Sequence, residues 1–230
     1  MSEPAPGAPD DLVLSIRDVR AQPSEEPGEL ALEIDTTRGT ILAALRPVEG
    51  KTGCAVFLGG AMGGGDAPAE GVYLRLSREL TAVGVTSLRV GYRHPGEFDE
   101  CVLDALAACS FLRGIGAERA VIVGHSFGGA VAIKAGELAP LAIAVAALSP
   151  QRFGTQTVER LARPLLLIHG SDDTVLLPQA SEDIYERAQQ PKRLVILEGG
   201  GHSLREVAAD VHTLLTDFIT DAAGDVEEPE

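Results

Sequence analysis

The stretch VIVGHSFGGA, residues 121–130, decides how the rest of the chain is read. A short apolar run enters Gly124-His125-Ser126-Phe127-Gly128-Gly129, so that one hydroxyl stands among residues with almost no side chain. A plain glycine turn is the modest reading, because glycine permits backbone angles that other residues avoid. The sharper reading is a tight turn from a strand into a helix that exposes the Ser126 hydroxyl. Such a hydroxyl is a weak nucleophile near neutral pH and needs an adjacent base, so the two readings are separated by what surrounds the turn.

Outward from this stretch the chain alternates. Short apolar runs at 54–60, 86–92, 120–126, 141–149, 164–170 and 193–199 end in glycine or polar residues, as expected of strands buried on both faces. Between them, 70–84, 97–116, 127–139, 179–190 and 203–220 carry helical patterns. Strand and helix in this order predict an α/β fold with a doubly wound, mostly parallel sheet. Ahead of it, 29–35 and 40–48 flank Thr-Arg-Gly as an antiparallel hairpin, with 12–19 as an earlier edge strand. The expected organisation is a tail over 1–28 holding that edge strand, one domain over 29–220, and an acidic tail over 221–230.

A length of 230 residues with 45% hydrophobic content suits one packed domain of this class. The formal charge of −15 disfavours nucleic acid and anionic membranes as partners. Much of it lies at the ends: residues 1–29 hold seven acids against two arginines, and residues 217–230 hold six acids and no base. Cys54, Cys101 and Cys109 form neither a disulfide framework nor a Cys-x-x-Cys metal motif, which fits reduced thiols in the cytoplasm. No apolar run is long enough for a membrane helix and no leader pattern opens the chain, so a cytoplasmic protein is expected. Neither a metal nor another cofactor is expected, since no histidine pair has zinc-motif spacing.

In open α/β sheets, ligands bind beyond the carboxyl ends of the strands. Four polar segments fall there: GGAMGGGDAP (59–68), GHSFGG (124–129), HGSDDTVLLP (169–178) and EGGGHS (198–203). They gather Ser126, the neighbouring acids Asp172 and Asp173, and His202 on one edge. Imidazole titrates near neutrality and can take and return a proton, which suits His202 to act as a base for Ser126. The other histidines read as bystanders: His125 packed within the turn, His169 at a strand end, His94 in a loop and His212 on the last helix.

Gly124-His125-Ser126-Phe127-Gly128 followed in order by His169-Gly-x-x-Asp173 and Gly200-Gly201-His202 resembles the α/β-hydrolase superfamily over about residues 29–220, with its Gly-x-Ser-x-Gly nucleophile elbow. Within the superfamily the chain is most similar to the small, lidless esterases of the dienelactone-hydrolase and serine-peptidase type. The resemblance implies a triad of Ser126, Asp173 and His202, because members place the acid four residues after the first histidine of that motif. It also implies an oxyanion hole made by the amides of Phe127 and of a residue after the first parallel strand. Alignment points to Ala61, but Gly59 stands where many members have histidine, which leaves Gly60 or Met62 as alternatives.

Only residues 150–162 separate Ser149 from Arg163, too few for the helical cap that lidded members insert there. An open site would then be lined by Met62, Gln151, Arg152 and Phe153, with Phe127, Tyr92 and His94 nearby. The activity implied is hydrolysis of carboxylic esters or related acyl compounds through an acyl-serine, on a small-molecule substrate, by a monomer or homodimer. Acyl transfer and amide or carbon–carbon cleavage share that triad, and a non-catalytic ligand-binding protein shares the fold.

Overall fold

The computed structural model describes residues 13–62 and 68–224. The first twelve residues, residues 63–67 of the glycine-rich loop and the acidic end 225–230 lie outside this range, together with the tail readings that fall on them.

Among the described residues nine strands form one sheet in the order β1-β2-β3-β5-β4-β6-β7-β8-β9. β1 (Ile16–Pro23), β2 (Leu30–Thr36) and β3 (Gly39–Arg46) make an antiparallel edge, joined through β3 to β5 (Val85–Val90). From β5 onward, β4 (Gly53–Leu58), β6 (Arg119–His125), β7 (Ala142–Leu148), β8 (Leu165–Gly170) and β9 (Lys192–Leu197) run parallel. The composition of each strand follows its place. β4 and β8 are buried along their whole length and are almost wholly apolar, since helices cover both faces. β2, nearer the edge, alternates buried with partly exposed positions.

On one face, α1 (Pro68–Glu79) packs against α5 (Ala208–Ala223) over Phe57, Val121, Val123 and Ile168. On the other, α2 (Phe98–Gly114), α3 (Phe127–Leu138) and α4 (Gln179–Arg187) cover Val56, Ile122, Val145 and Leu167. Alternate residues of a strand point to opposite faces, so each buried strand feeds both cores. No helix among the described residues is long and apolar enough to cross a membrane.

The early edge strand expected over 12–19 is present as β1 over Ile16–Pro23, while the last helix begins later than expected. β1 pairs with β2 over nearly its full length, and Leu14, Ile16 and Val19 pack on the core, so the sheet begins well before residue 29. α5 starts at Ala208 rather than Ser203 and runs to Ala223, past the expected boundary at 220. Residues 203–207 are instead turns: Leu204 adopts a positive φ of 55° and its amide bonds the Gly201 carbonyl at 3.0 Å. No cap intervenes between β7 and β8, where only a short 3-10 turn (Val158–Arg160) interrupts irregular chain.

Candidate active site

Ser126 joins β6 to α3 with φ 57° and ψ −120°, a conformation that L-residues rarely hold. The surroundings over-determine it. The Ser126 amide donates to the Leu148 carbonyl of β7 at 2.8 Å, while its own carbonyl accepts from the amides of Gly129 (3.0 Å) and Gln151 (3.3 Å). Two glycines make the turn sterically feasible. A Cβ on Gly124 would lie 2.0 Å from the Gly128 carbonyl oxygen, and one on Gly128 would lie 2.0 Å from that of Gly59. The sharp turn leaves Ser126 partly exposed at the N-terminus of α3, where free amides and the helix dipole favour negative charge.

His202 reaches this turn from the loop between β9 and α5. Its Nε2 lies 3.0 Å from Ser126 Oγ and its Nδ1 lies 2.7 Å from Asp173 Oδ2. Three segments far apart in sequence thus meet in one hydrogen-bonded line. Asp173 is buried at the end of β8, and its Oδ1 accepts from the amides of Val175 and Leu176, both at 2.8 Å. Burial by itself would raise this carboxyl, but the hydrogen bonds from His202, Leu176 and Val175 outweigh it and hold the group below the usual carboxylate range. Asp172 faces solvent and accepts from the Ser171 hydroxyl at 2.8 Å, a local turn contact.

Two histidines read as bystanders in the sequence lie against this line. His169 is fully buried, with Nε2 at 3.1 Å from Asp173 Oδ2 and 2.8 Å from the Leu176 carbonyl, and Nδ1 at 2.7 Å from Ser181 Oγ. Both neighbours of Nε2 are acceptors, so that nitrogen carries a proton and supports the carboxylate. His125 Nε2 lies 2.9 Å from the His202 carbonyl. The signals were positional: His169 opens the motif that contains Asp173, and His125 sits inside the elbow.

A dienelactone hydrolase from Anabaena variabilis has a similar fold (TM-score 0.74, 19% identity, 85% of this chain and 98% of that one). A lidless α/β serine hydrolase from Xanthomonas campestris superposes with TM-score 0.73 at 21% identity, over 89% of this chain and 100% of its own. The chain has the α/β-hydrolase fold. The esterase domain of a Rhodothermus marinus protein shares that fold with TM-score 0.70 at 23% identity, over 85% of this chain and 100% of that one. A family model described as serine aminopeptidase, S33, matches residues 150–206, which contain Asp173 and His202. The uncharacterized protein YfhR of Escherichia coli (strain K12) is 42% identical over 62 residues, 26% of this chain and 22% of YfhR. The match therefore spans about a fifth of that relative's length.

In this hydrolase fold the loop after β4 faces the elbow. Its backbone is held from two sides, by the Tyr73 hydroxyl donating to Leu58 O (3.3 Å) and the Tyr92 hydroxyl donating to Gly59 O (3.2 Å). Ala61 and Met62 follow in an exposed turn, and Met62 is 94% exposed. Tyr92 is placed by its neighbour. Arg93, on the same segment, donates through its amide and Nε to the buried Asp104 carboxylate and through Nη2 to Glu100, which also pairs with Arg38. Burial raises Asp104 despite the opposing contacts of Arg93, whereas the Arg38 hydrogen bond leads in lowering the better solvated Glu100.

An aromatic wall extends from the elbow. Phe127 meets Tyr92 and Phe98 edge-on, each at 6.1 Å between centroids, and Phe98 meets the exposed Phe153 at 5.6 Å. Phe98, at the start of α2, carries no motif that marks it in the sequence. Arg152, expected to line the site, donates through Nη2 to Asp183 of α4 at 2.9 Å, beside Arg187 on the same carboxylate. Gln151 turns its side-chain amide to the Phe153 carbonyl at 3.1 Å. His94 shares the loop with Tyr92, its carbonyl accepting from Cys101 Sγ at 3.3 Å.

Proposed function

We propose that the chain is a serine hydrolase of carboxylic esters or related acyl compounds, working through an acyl-Ser126 intermediate. The observation that carries this reading is the unbroken line Ser126 Oγ, His202, Asp173, with separations of 3.0 and 2.7 Å, set on a positive-φ elbow. In the first half-reaction His202 Nε2 takes the Ser126 proton as Oγ bonds to the acyl carbon. Asp173 holds the proton on Nδ1 and stabilises the imidazolium. The developing oxyanion is met by the Phe127 amide at the start of α3 and by the Ala61 amide of the loop after β4. Nε2 then returns its proton to the leaving alcohol. Water enters, gives a proton to His202 as its oxygen bonds to the acyl carbon, and Ser126 leaves with the proton restored.

Among the described residues no cap intervenes between β7 and β8, and the aromatic side chains from Phe127 to Phe153 extend along the site. Short soluble esters suit such a site better than long acyl chains. The test is covalent labelling with a fluorophosphonate, then hydrolysis of p-nitrophenyl esters of increasing acyl length. Labelling at Ser126 that is lost together with turnover in Ser126→Ala, and rates that fall as the chain lengthens, are expected. Parent-like turnover by Ser126→Ala would end the proposal. Adding an alcohol acceptor to the same assay separates transfer from hydrolysis.

A further inference from the structure

We propose that His125, the residue before the nucleophile, is a positioning residue that straps the loop of His202 to the elbow through its Nε2–H. The inference rests on the hydrolase reading for its effect on rate, but the strap itself is a matter of geometry.

His202 follows Gly199, Gly200 and Gly201, and glycine loses more conformational freedom on folding than any other residue. The glycines are themselves tied to the end of β8, the Gly199 amide donating to Ser171 Oγ and the Gly200 carbonyl accepting from the Asp172 amide, both at 2.9 Å, so the peptide of His202 is what remains to be fixed. Nε2 of His202 must stay within hydrogen-bond reach of Ser126 Oγ, a tolerance of about 0.5 Å for productive geometry. The described contacts around the loop fix its flanks: the Gly201 amide donates to Glu206 Oε2 at 3.1 Å, and the Ser203 carbonyl accepts from the Ala69 amide at 2.7 Å. The peptide carbonyl of His202 itself is held by His125, at 2.9 Å.

The acceptor is a carbonyl, so Nε2 of His125 must be the protonated nitrogen. Its Nδ1 lies on the side of the loop after β4, where a Cβ built on Gly60 would stand 4.0 Å away. One ring therefore bridges the elbow and the base loop, with Gly60 of the loop after β4 near its other nitrogen. The rings of His125 and His202 are 5.0 Å apart and tilted by 46°, close enough that a charge on His125 would oppose the imidazolium needed on His202. Burial, the leading cause, pushes the His125 ring down to about 4, so it is neutral in the working range.

The experiment compares His125→Phe, which keeps a planar ring and loses the donor, with His125→Gln, whose side-chain amide keeps a neutral donor at about the reach of Nε2. Two readouts are taken on the full chain: the rate of fluorophosphonate labelling with kcat and KM for a short ester, and the imidazole proton of His202 Nδ1 in the NMR spectrum. His125→Phe is expected to slow labelling and kcat by about tenfold to hundredfold, as misplacement by up to about 1 Å does. KM should hardly change, and the His202 resonance should broaden or vanish. His125→Gln should recover most of the rate and the resonance. Parent-like rate and resonance in His125→Phe would overturn the proposal, as would equal impairment of both variants with the resonance intact. If the resonance follows the strap in all three proteins while none labels or hydrolyses an ester, the strap stands and the hydrolase reading fails.

Discussion

Replacing Asp173 by asparagine changes one atom, and the neighbours of that carboxylate dictate how the amide must sit. Oδ1 is held by two main-chain donors, the amides of Val175 and Leu176, so an asparagine must point its carbonyl oxygen there. The alternative rotation sets its NH2 group against two N–H donors and strands both, at roughly 1–3 kcal/mol for each unsatisfied group. The NH2 group is thereby forced toward His202 Nδ1, 2.7 Å from the present Oδ2. An amide there donates to Nδ1 and selects the tautomer with its proton on Nε2, which cannot accept from Ser126 Oγ. It also meets the His169 Nε2–H, which leaves two donors facing each other. The expected loss in kcat approaches the ~10⁴-fold found for this exchange in serine proteases, about 5 kcal/mol in the barrier. Asp172→Asn is the control, since the exposed Asp172 accepts only locally from Ser171 and an amide oxygen can do the same. The assay is kcat for a short p-nitrophenyl ester, with urea denaturation to show that both variants fold. An Asp173→Asn protein that keeps more than about a tenth of the parent kcat would refute the tautomer argument.

Gly128→Ala should lower the unfolding free energy by about 3 kcal/mol or more and abolish labelling, because its Cβ would meet main-chain oxygens of Gly59 and Leu58 at 2.0 and 2.9 Å. Parent-like denaturation would contradict it. Asp104→Ala strands the amide and Nε of Arg93, 2% exposed in its side chain, and leaves it only Glu100 as a counter-charge, and should cost about 2 kcal/mol or more in the same measurement. Stability should also fall as pH drops from about 6.5 to about 4: across that window the unfolded chain takes a proton on His125 that the folded ring, held down to about 4, refuses. The unfolded state binds more protons there, so stability rises with pH, by roughly 3 kcal/mol over the whole window. His125→Gln should flatten this part of the urea midpoint against pH curve, and an unchanged slope would show that another group carries it.

The alternating architecture was legible because burial on both faces forces apolar runs such as AVFL and LLLI into the central strands, and helical periodicity intervenes each time. Helix ends were less so. SLREVAADV keeps a helical apolar spacing that predicts a start of α5 at Ser203, but the chain must first bring His202 back to the elbow and spends residues 203–207 on turns. Arg152 shows the same limit in the site. The sequence sets Arg152 along the site, and only the fold shows Asp183, thirty-one residues on, beside it at 2.9 Å.

By itself, then, the amino-acid order determined the parallel sheet, the strand-to-helix turn around Ser126 and the sequence of serine, acid and histidine, because these depend on local pattern and on spacing along the chain. Tertiary structure alone decided which atoms meet. It brought His202 to 3.0 Å from Ser126 across seventy-six residues, placed His169 against the same Asp173 oxygen that His202 contacts, and hung the His202 loop on His125. It also directed the Tyr92 hydroxyl to Gly59, through a segment anchored by the buried Arg93–Asp104 pair. Hydrogen bonds of this kind form between groups whose distance depends on the crossing of strands and helices far from them, and no period or motif in the chain encodes that distance.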